Sequence, residues 1–122
     1  MKTLSSLKVL VVEDEALVSM LVEDMLTDLG CAIVGPAAEI EEALRLAGSA
    51  EIDAALLDVN LGGRPIFPVA DALKARGVPF AFASGYGEAG LTEDHRGATV
   101  LQKPFREADL RRVLESLVGQ TA

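Results

Sequence analysis

Short apolar runs alternate along this chain with longer stretches in which apolar side chains return every third or fourth residue. These two patterns separate strands from amphipathic helices. Residues 8–12 form the first apolar run and predict a strand. Residues 15–29 predict a helix: Leu17, Leu21, Met25 and Leu29 repeat at i+4 as one apolar stripe, and Gly30 follows as a stop. A second strand covers 31–35 and ends at Gly35-Pro36, and a second helix at about 39–47 carries Ile40, Ala43, Leu44 and Ala47 on one side. The third strand is 53–58. Gly62-Gly63-Arg64-Pro65 reads as a loop by its Gly and Pro content. A helix at about 67–76 follows, with Val69, Ala70 and Leu73 apolar and Gly77 beyond its end. Strand four is Phe80 to Ala83, and Ser84-Gly85-Tyr86-Gly87 is a turn. Residues 88–97 hold Gly90, Gly97 and several charges and predict a short or irregular helix. A strand at about 98–101 and a helix at about 106–118, with Leu110, Val113, Leu114 and Leu117 on one face, complete the pattern.

Strand and helix thus alternate with short connections. That order implies an α/β fold, a parallel sheet covered by helices on both faces. Right-handed crossovers make it a doubly wound, five-stranded, flavodoxin-like sheet of order 2-1-3-4-5. With no repeat, low-complexity segment or second unit in view, residues 1–122 are expected to form a single domain with a core at about 7–118.

Composition narrows the function. Half the residues are apolar, which argues against disorder. A net charge of −8 argues against nonspecific binding to nucleic acid or anionic lipid, both of which need a basic patch. The single cysteine, Cys31, opens the apolar run Cys31-Ala32-Ile33-Val34 and reads as a core thiol in a reducing compartment. No apolar stretch reaches the roughly 18 residues of a spanning helix, and Met1 to Ser6 lacks the apolar core of a signal peptide. The protein is therefore expected to be cytoplasmic, with no membrane or direct nucleic-acid partner.

Three of the strands end in charge. Val9 to Val12 runs into Glu13-Asp14-Glu15, Ala54 to Leu57 into Asp58, and Val100 to Gln102 into Lys103-Pro104. The C-terminal ends of parallel strands share one edge of the sheet, where ligands bind, so Glu13, Asp14, Asp58 and Lys103 should meet there. Like charges this close are costly unless a cation joins them. Hard carboxylate oxygens suit Mg²⁺. Carboxylates, Mg²⁺ and one lysine can together neutralise a transferring phosphoryl group.

The segments Val11-Val12-Glu13-Asp14-Glu15, Leu57-Asp58-Val59-Asn60-Leu61, Ala83-Ser84-Gly85 and Lys103-Pro104-Phe105 stand in order, each at a strand end. In this set the chain resembles the receiver domain of two-component response regulators over essentially its whole length. The resemblance implies that Asp58 accepts a phosphoryl group from a histidine kinase or histidine phosphotransfer protein. It implies that Glu13 and Asp14 bind Mg²⁺ beside Asp58, with the Asn60 backbone carbonyl as a further ligand. Ser84 would hydrogen-bond the phosphoryl group, Lys103 would pair with it, and the Lys103-Pro104 peptide bond would be cis. Output would pass through the face made by strand four, residues 85–97 and strand five. The only catalysis implied is self-phosphorylation and autodephosphorylation.

The pattern departs from the family at Val100, where most receivers carry a Tyr or Phe that moves with the Ser or Thr. The stretch Phe82-Ala83-Ser84-Gly85-Tyr86-Gly87 resembles a subgroup, often stand-alone, with a Phe-Ala-Thr-Gly-Tyr-like signature. Tyr86 is the candidate substitute for the missing aromatic. His95, the only histidine, lies among Glu93, Asp94 and Arg96 and is expected at the surface, outside the chemistry. Alternatives are an aspartyl-phosphate phosphohydrolase and a non-phosphorylated pseudo-receiver that only docks. A receiver cut from a longer protein with an output domain also stays open. The first fits poorly, because an Asp-x-Asp pattern is expected after strand one and Glu13-Asp14-Glu15 stands there.

Overall fold

A computed structural model describes residues 4–85, 91, 95 and 98–119. Its five-stranded parallel sheet is built from β1 (Lys8–Val12), β2 (Ala32–Ala37), β3 (Ala54–Asp58), β6 (Phe80–Ser84) and β7 (Val100–Gln102), in the order β2-β1-β3-β6-β7. Numbered among themselves these strands run 2-1-3-4-5, the doubly wound order that the alternating pattern implies. A two-stranded antiparallel hairpin, β4 (Asn60–Leu61) and β5 (Arg64–Pro65), accounts for the two extra numbers. Four helices are described: α1 (Ala16–Asp28), α2 (Ile40–Ser49), α3 (Phe67–Ala75) and α4 (Glu107–Gly119). Tyr86, and the expected helix at 88–97 apart from Leu91 and His95, lie outside the described residues. Among the described residues no helix is long and apolar enough to cross a membrane.

The strands are apolar without alternation because both sheet faces are covered. Val9 and Val11 of β1 and Leu56 of β3 pack with Leu26 of α1 and Leu110, Leu114 and Leu117 of α4. Leu10, Val12, Leu57 and Phe82 point the other way, into α2 and α3. The period of two along each strand divides one sheet between two cores.

Three local expectations change. The stripe Leu17-Leu21-Met25-Leu29 is not the buried one: Leu17 is 77% and Leu21 58% exposed. Val22 and Leu26 are buried in its place, with Val18, Met25 and Leu29 at their edges. This helix is apolar on more than one side, and i+4 spacing alone cannot tell which side meets the sheet. Strand two does not stop at Gly35-Pro36 but runs to Ala37 through a cis Gly35-Pro36 bond and a register shift against β1. The loop expected at 62–65 is the tip and return strand of the β4–β5 hairpin. Gly62 and Gly63 both have positive φ, 59° and 83°, as a tight two-residue hairpin turn of the primed type requires.

Candidate functional site

The C-terminal ends of β1, β3 and β6 lie side by side, since β1 pairs with β3 and β3 with β6. Val12 faces Leu57, and Asp58 faces Ala83, so Glu13-Asp14, Asp58 and Ser84 reach one edge. The next strand, β7, pairs Gln102 with Ser84, and the Lys103 N–H donates to the Ser84 carbonyl at 2.9 Å. A cis Lys103-Pro104 bond follows, as the family resemblance implies.

One carboxylate oxygen from each of Glu13, Asp14 and Asp58 lies within 4.8 Å of the other two. Glu13, Asp58 and Ser84 are buried, while Asp14 is exposed. The Lys103 amine donates to Glu13 Oε1 at 2.9 Å and stands 3.4 Å from Asp58 Oδ1. Burial by itself would lower the Lys103 pKa. The Glu13 hydrogen bond and the charges of Asp58 and Glu13 outweigh it, and the pKa is raised. The second Glu13 oxygen accepts the Glu15 N–H at 3.2 Å, at the entry to α1. Asp14 Oδ2 accepts the Gly62 N–H at 2.9 Å. Asn60 opens β4 two residues after Asp58.

Three oxygen donors with one fixed cation suit a hard divalent ion. Glu13, Asp14, Asp58, Ser84 and Lys103, named from the sequence, all come to this edge.

His95 departs from its expected surface position. Its side chain is 14% exposed. The ring stacks on Phe67 of α3 at a centroid distance of 4.6 Å and meets Phe82 edge-on at 5.9 Å. Nε2 lies 3.0 Å from Asp71 Oδ1. Two aromatic faces brought together by α3 and β6 accept the imidazole; its charged sequence neighbours carry no trace of them. The Gly62 amide was also not foreseen. Its signal was the Gly-Gly dipeptide, a hairpin marker that here lies between very short strands.

A model of the response regulator receiver domain matches residues 9–115, and the chain belongs to this family. The transcriptional regulatory protein PdtaR of Mycobacterium tuberculosis is 32% identical over 117 residues, 93% of this chain and 57% of that protein. The chain spans about half the length of the curated relatives it matches, 57% of this one and 42% of another. The solution structure of SdrG from Sphingomonas melonis Fr1 is 39% identical with a TM-score of 0.82, covering 96% of this chain and 99% of SdrG. The receiver domain of the sensor histidine kinase PA1611 from Pseudomonas aeruginosa PAO1 was solved with a magnesium ion coordinated in its active-site cleft. It is 27% identical with a TM-score of 0.78, over 94% of this chain and 99% of that one.

Proposed function

We propose that this chain is a phosphorylation switch in which Asp58 accepts a phosphoryl group from a histidine kinase or histidine phosphotransfer protein. The observation that carries the reading is the meeting of Glu13, Asp14 and Asp58 within 4.8 Å with Lys103 bridging two of them. An Asp58 carboxylate oxygen attacks phosphorus. The P–N bond of the phosphohistidine breaks, and the imidazole leaves with its electron pair. The product is an acyl phosphate. Mg²⁺, held by Glu13, Asp14, Asp58 and the Asn60 carbonyl, would supply positive charge to the phosphoryl oxygens. Lys103 would pair with the same oxygens, and Ser84 would hydrogen-bond one of them. Catalysis is limited to the chain's own phosphorylation and dephosphorylation, and the expected single receiver domain over 1–122 is the unit that carries it.

The surface beside Asp58 supports a protein donor. Leu17, Met20 and Leu21 of α1 are more than half exposed. Leu21 lines an apolar groove of about 340 Å³, together with Val18, Val22, Met25, Pro104 and Phe105, that reaches Lys103. A helix carrying the phosphohistidine would cover this face. Output passes to a further protein through the face of β6, residues 85–97 and β7.

Incubation with acetyl phosphate and Mg²⁺ tests the chemistry. One phosphoryl group should add by mass, acid-labile and not formed when EDTA removes the Mg²⁺ during incubation, and Asp58→Asn should abolish it. Sustained turnover of small phosphate esters would move the reading to a phosphohydrolase, and no mass gain to a docking pseudo-receiver.

A further inference from the structure

The hairpin that follows Asp58 touches the site through its backbone. Gly62 N–H donates to Asp14 Oδ2 at 2.9 Å across 48 residues of sequence. Lys103 holds Glu13 and Asp58, but Asp14 is exposed at the entry to α1, where a carboxylate would otherwise rotate freely. One hydrogen bond from the amide fixes one of its oxygens. A hairpin with two-residue strands is marginal on its own. Here its base is anchored on both sides by buried Leu61 and Ile66 and by the Ile66 N–H donating to the Val59 carbonyl at 3.1 Å. Its return strand is tied outside the site: Arg64 Nη1 donates to Glu41 Oε2 of α2 at 2.5 Å. That bond, and the Arg64 charge, hold the Glu41 carboxyl below its usual pKa, so the pair is ionised at neutral pH.

We propose that the Asn60–Pro65 hairpin is a positioning element for the Asp14 carboxylate, and that the Arg64–Glu41 ion pair, outside the site, sets its register. The proposal rests on the reading of Glu13, Asp14 and Asp58 as Mg²⁺ ligands. Arg64 and Glu41 are positioning residues: neither touches the carboxylate cluster, and both act through the Gly62 amide. Gly62 is the working part of the turn. An added Cβ there would meet only Asp14 Oδ2, at 3.9 Å, so its positive φ and not its space excludes most other residues.

Electrostatics alone predicts the opposite sign at one position. Removing the Arg64 charge should draw Mg²⁺ in more tightly if the arginine only repels it. Positioning requires Arg64→Gln to weaken Mg²⁺ binding instead. Calorimetric Mg²⁺ titration of the full chain, with the Gly62 amide followed by NMR in the metal-free protein, separates the two. Arg64→Gln and Glu41→Gln should each lower Mg²⁺ affinity roughly two- to fivefold, the size an exposed ion pair can transmit. Each should also speed exchange of the Gly62 amide, with little change in melting temperature. The charge-swapped double variant Arg64→Glu with Glu41→Arg should restore both readouts. Unchanged or tighter Mg²⁺ binding in Arg64→Gln, or a swap that restores nothing, overturns the proposal alone. If the unaltered chain binds no Mg²⁺, the metal reading falls and takes the proposal with it.

Discussion

Lys103 carries the positive charge paired with the site's two buried carboxylates, Glu13 and Asp58. Its raised pKa fixes the sign of its pH dependence. The stabilisation is fully present below the ordinary lysine value of 10.5 and is lost only as pH rises through the higher folded value. Across the physiological range the lysine stays charged. Replacing it, as in Lys103→Met, leaves two buried carboxylates without their cation. The amine is partly solvated, so the cost is well below that of a fully buried pair, about 1–3 kcal/mol. Mg²⁺ should recover part of that loss, because it supplies the missing positive charge. Denaturant midpoints with and without Mg²⁺ check this: a larger Mg²⁺ shift in the variant than in the unaltered chain is expected, and an equal shift would count against the pairing. Asp14→Ala should weaken Mg²⁺ binding more than any other single carboxylate change outside Asp58, since a small ion held by few protein oxygens depends strongly on each. Cys31 shows the inert case. Burial raises its thiol pKa, and Sγ donates to the Leu4 carbonyl at 3.4 Å. Alkylation at neutral pH should be slow in the folded protein and rise steeply with denaturant; rapid labelling without denaturant would mean the thiol is open.

At the scale of the element, α1 has one apolar face in the core and another in solvent. Leu26 is fully buried against the sheet, so Leu26→Ala should cost about 2–5 kcal/mol. Leu17 and Leu21 face outward, and their alanine variants should stay within about 0.5 kcal/mol of the unaltered chain. The same two changes should slow phosphoryl transfer from a protein donor while leaving transfer from acetyl phosphate unchanged. Stopped mixing with each donor measures the difference, and equal slowing with both would remove α1 from donor recognition. The existence of α1 was legible in its periodicity; its inward face was not. Leu17 and Leu21 continue one i+4 row as well as Val18 and Val22 continue another, and only the β1 and β3 side chains beneath select between them. The charged strand ends were easier to read. An apolar run closed by Asp58 or by Glu13-Asp14 is a local pattern, and parallel order alone carries such ends to one edge.

The whole molecule links the site to the far side of the sheet through β6 and β7. The Lys103 N–H is bound to the Ser84 carbonyl at 2.9 Å, so the two residues that would respond to a phosphoryl group share a backbone bond. Beryllofluoride, a phosphoryl mimic, should therefore change amide-exchange protection at Lys103 and along β6 and β7. Changes confined to α1 and α2, with this pair silent, would contradict the proposed output face.

The sequence by itself determined the alternation of strand and helix, the parallel sheet and its order, and the five side chains that reach its edge. Each follows from spacing within one element or from the handedness of its connection. Only the tertiary structure decided which side of α1 is buried, that Gly62 holds Asp14, that Arg64 meets Glu41, and that His95 lies on Phe67 beside Asp71. The last three contacts join residues 48, 23 and 24 positions apart. Apolar and polar periodicity reports which face a residue occupies. Partners that distant meet only after the crossovers and the hairpin have set the distances between those faces.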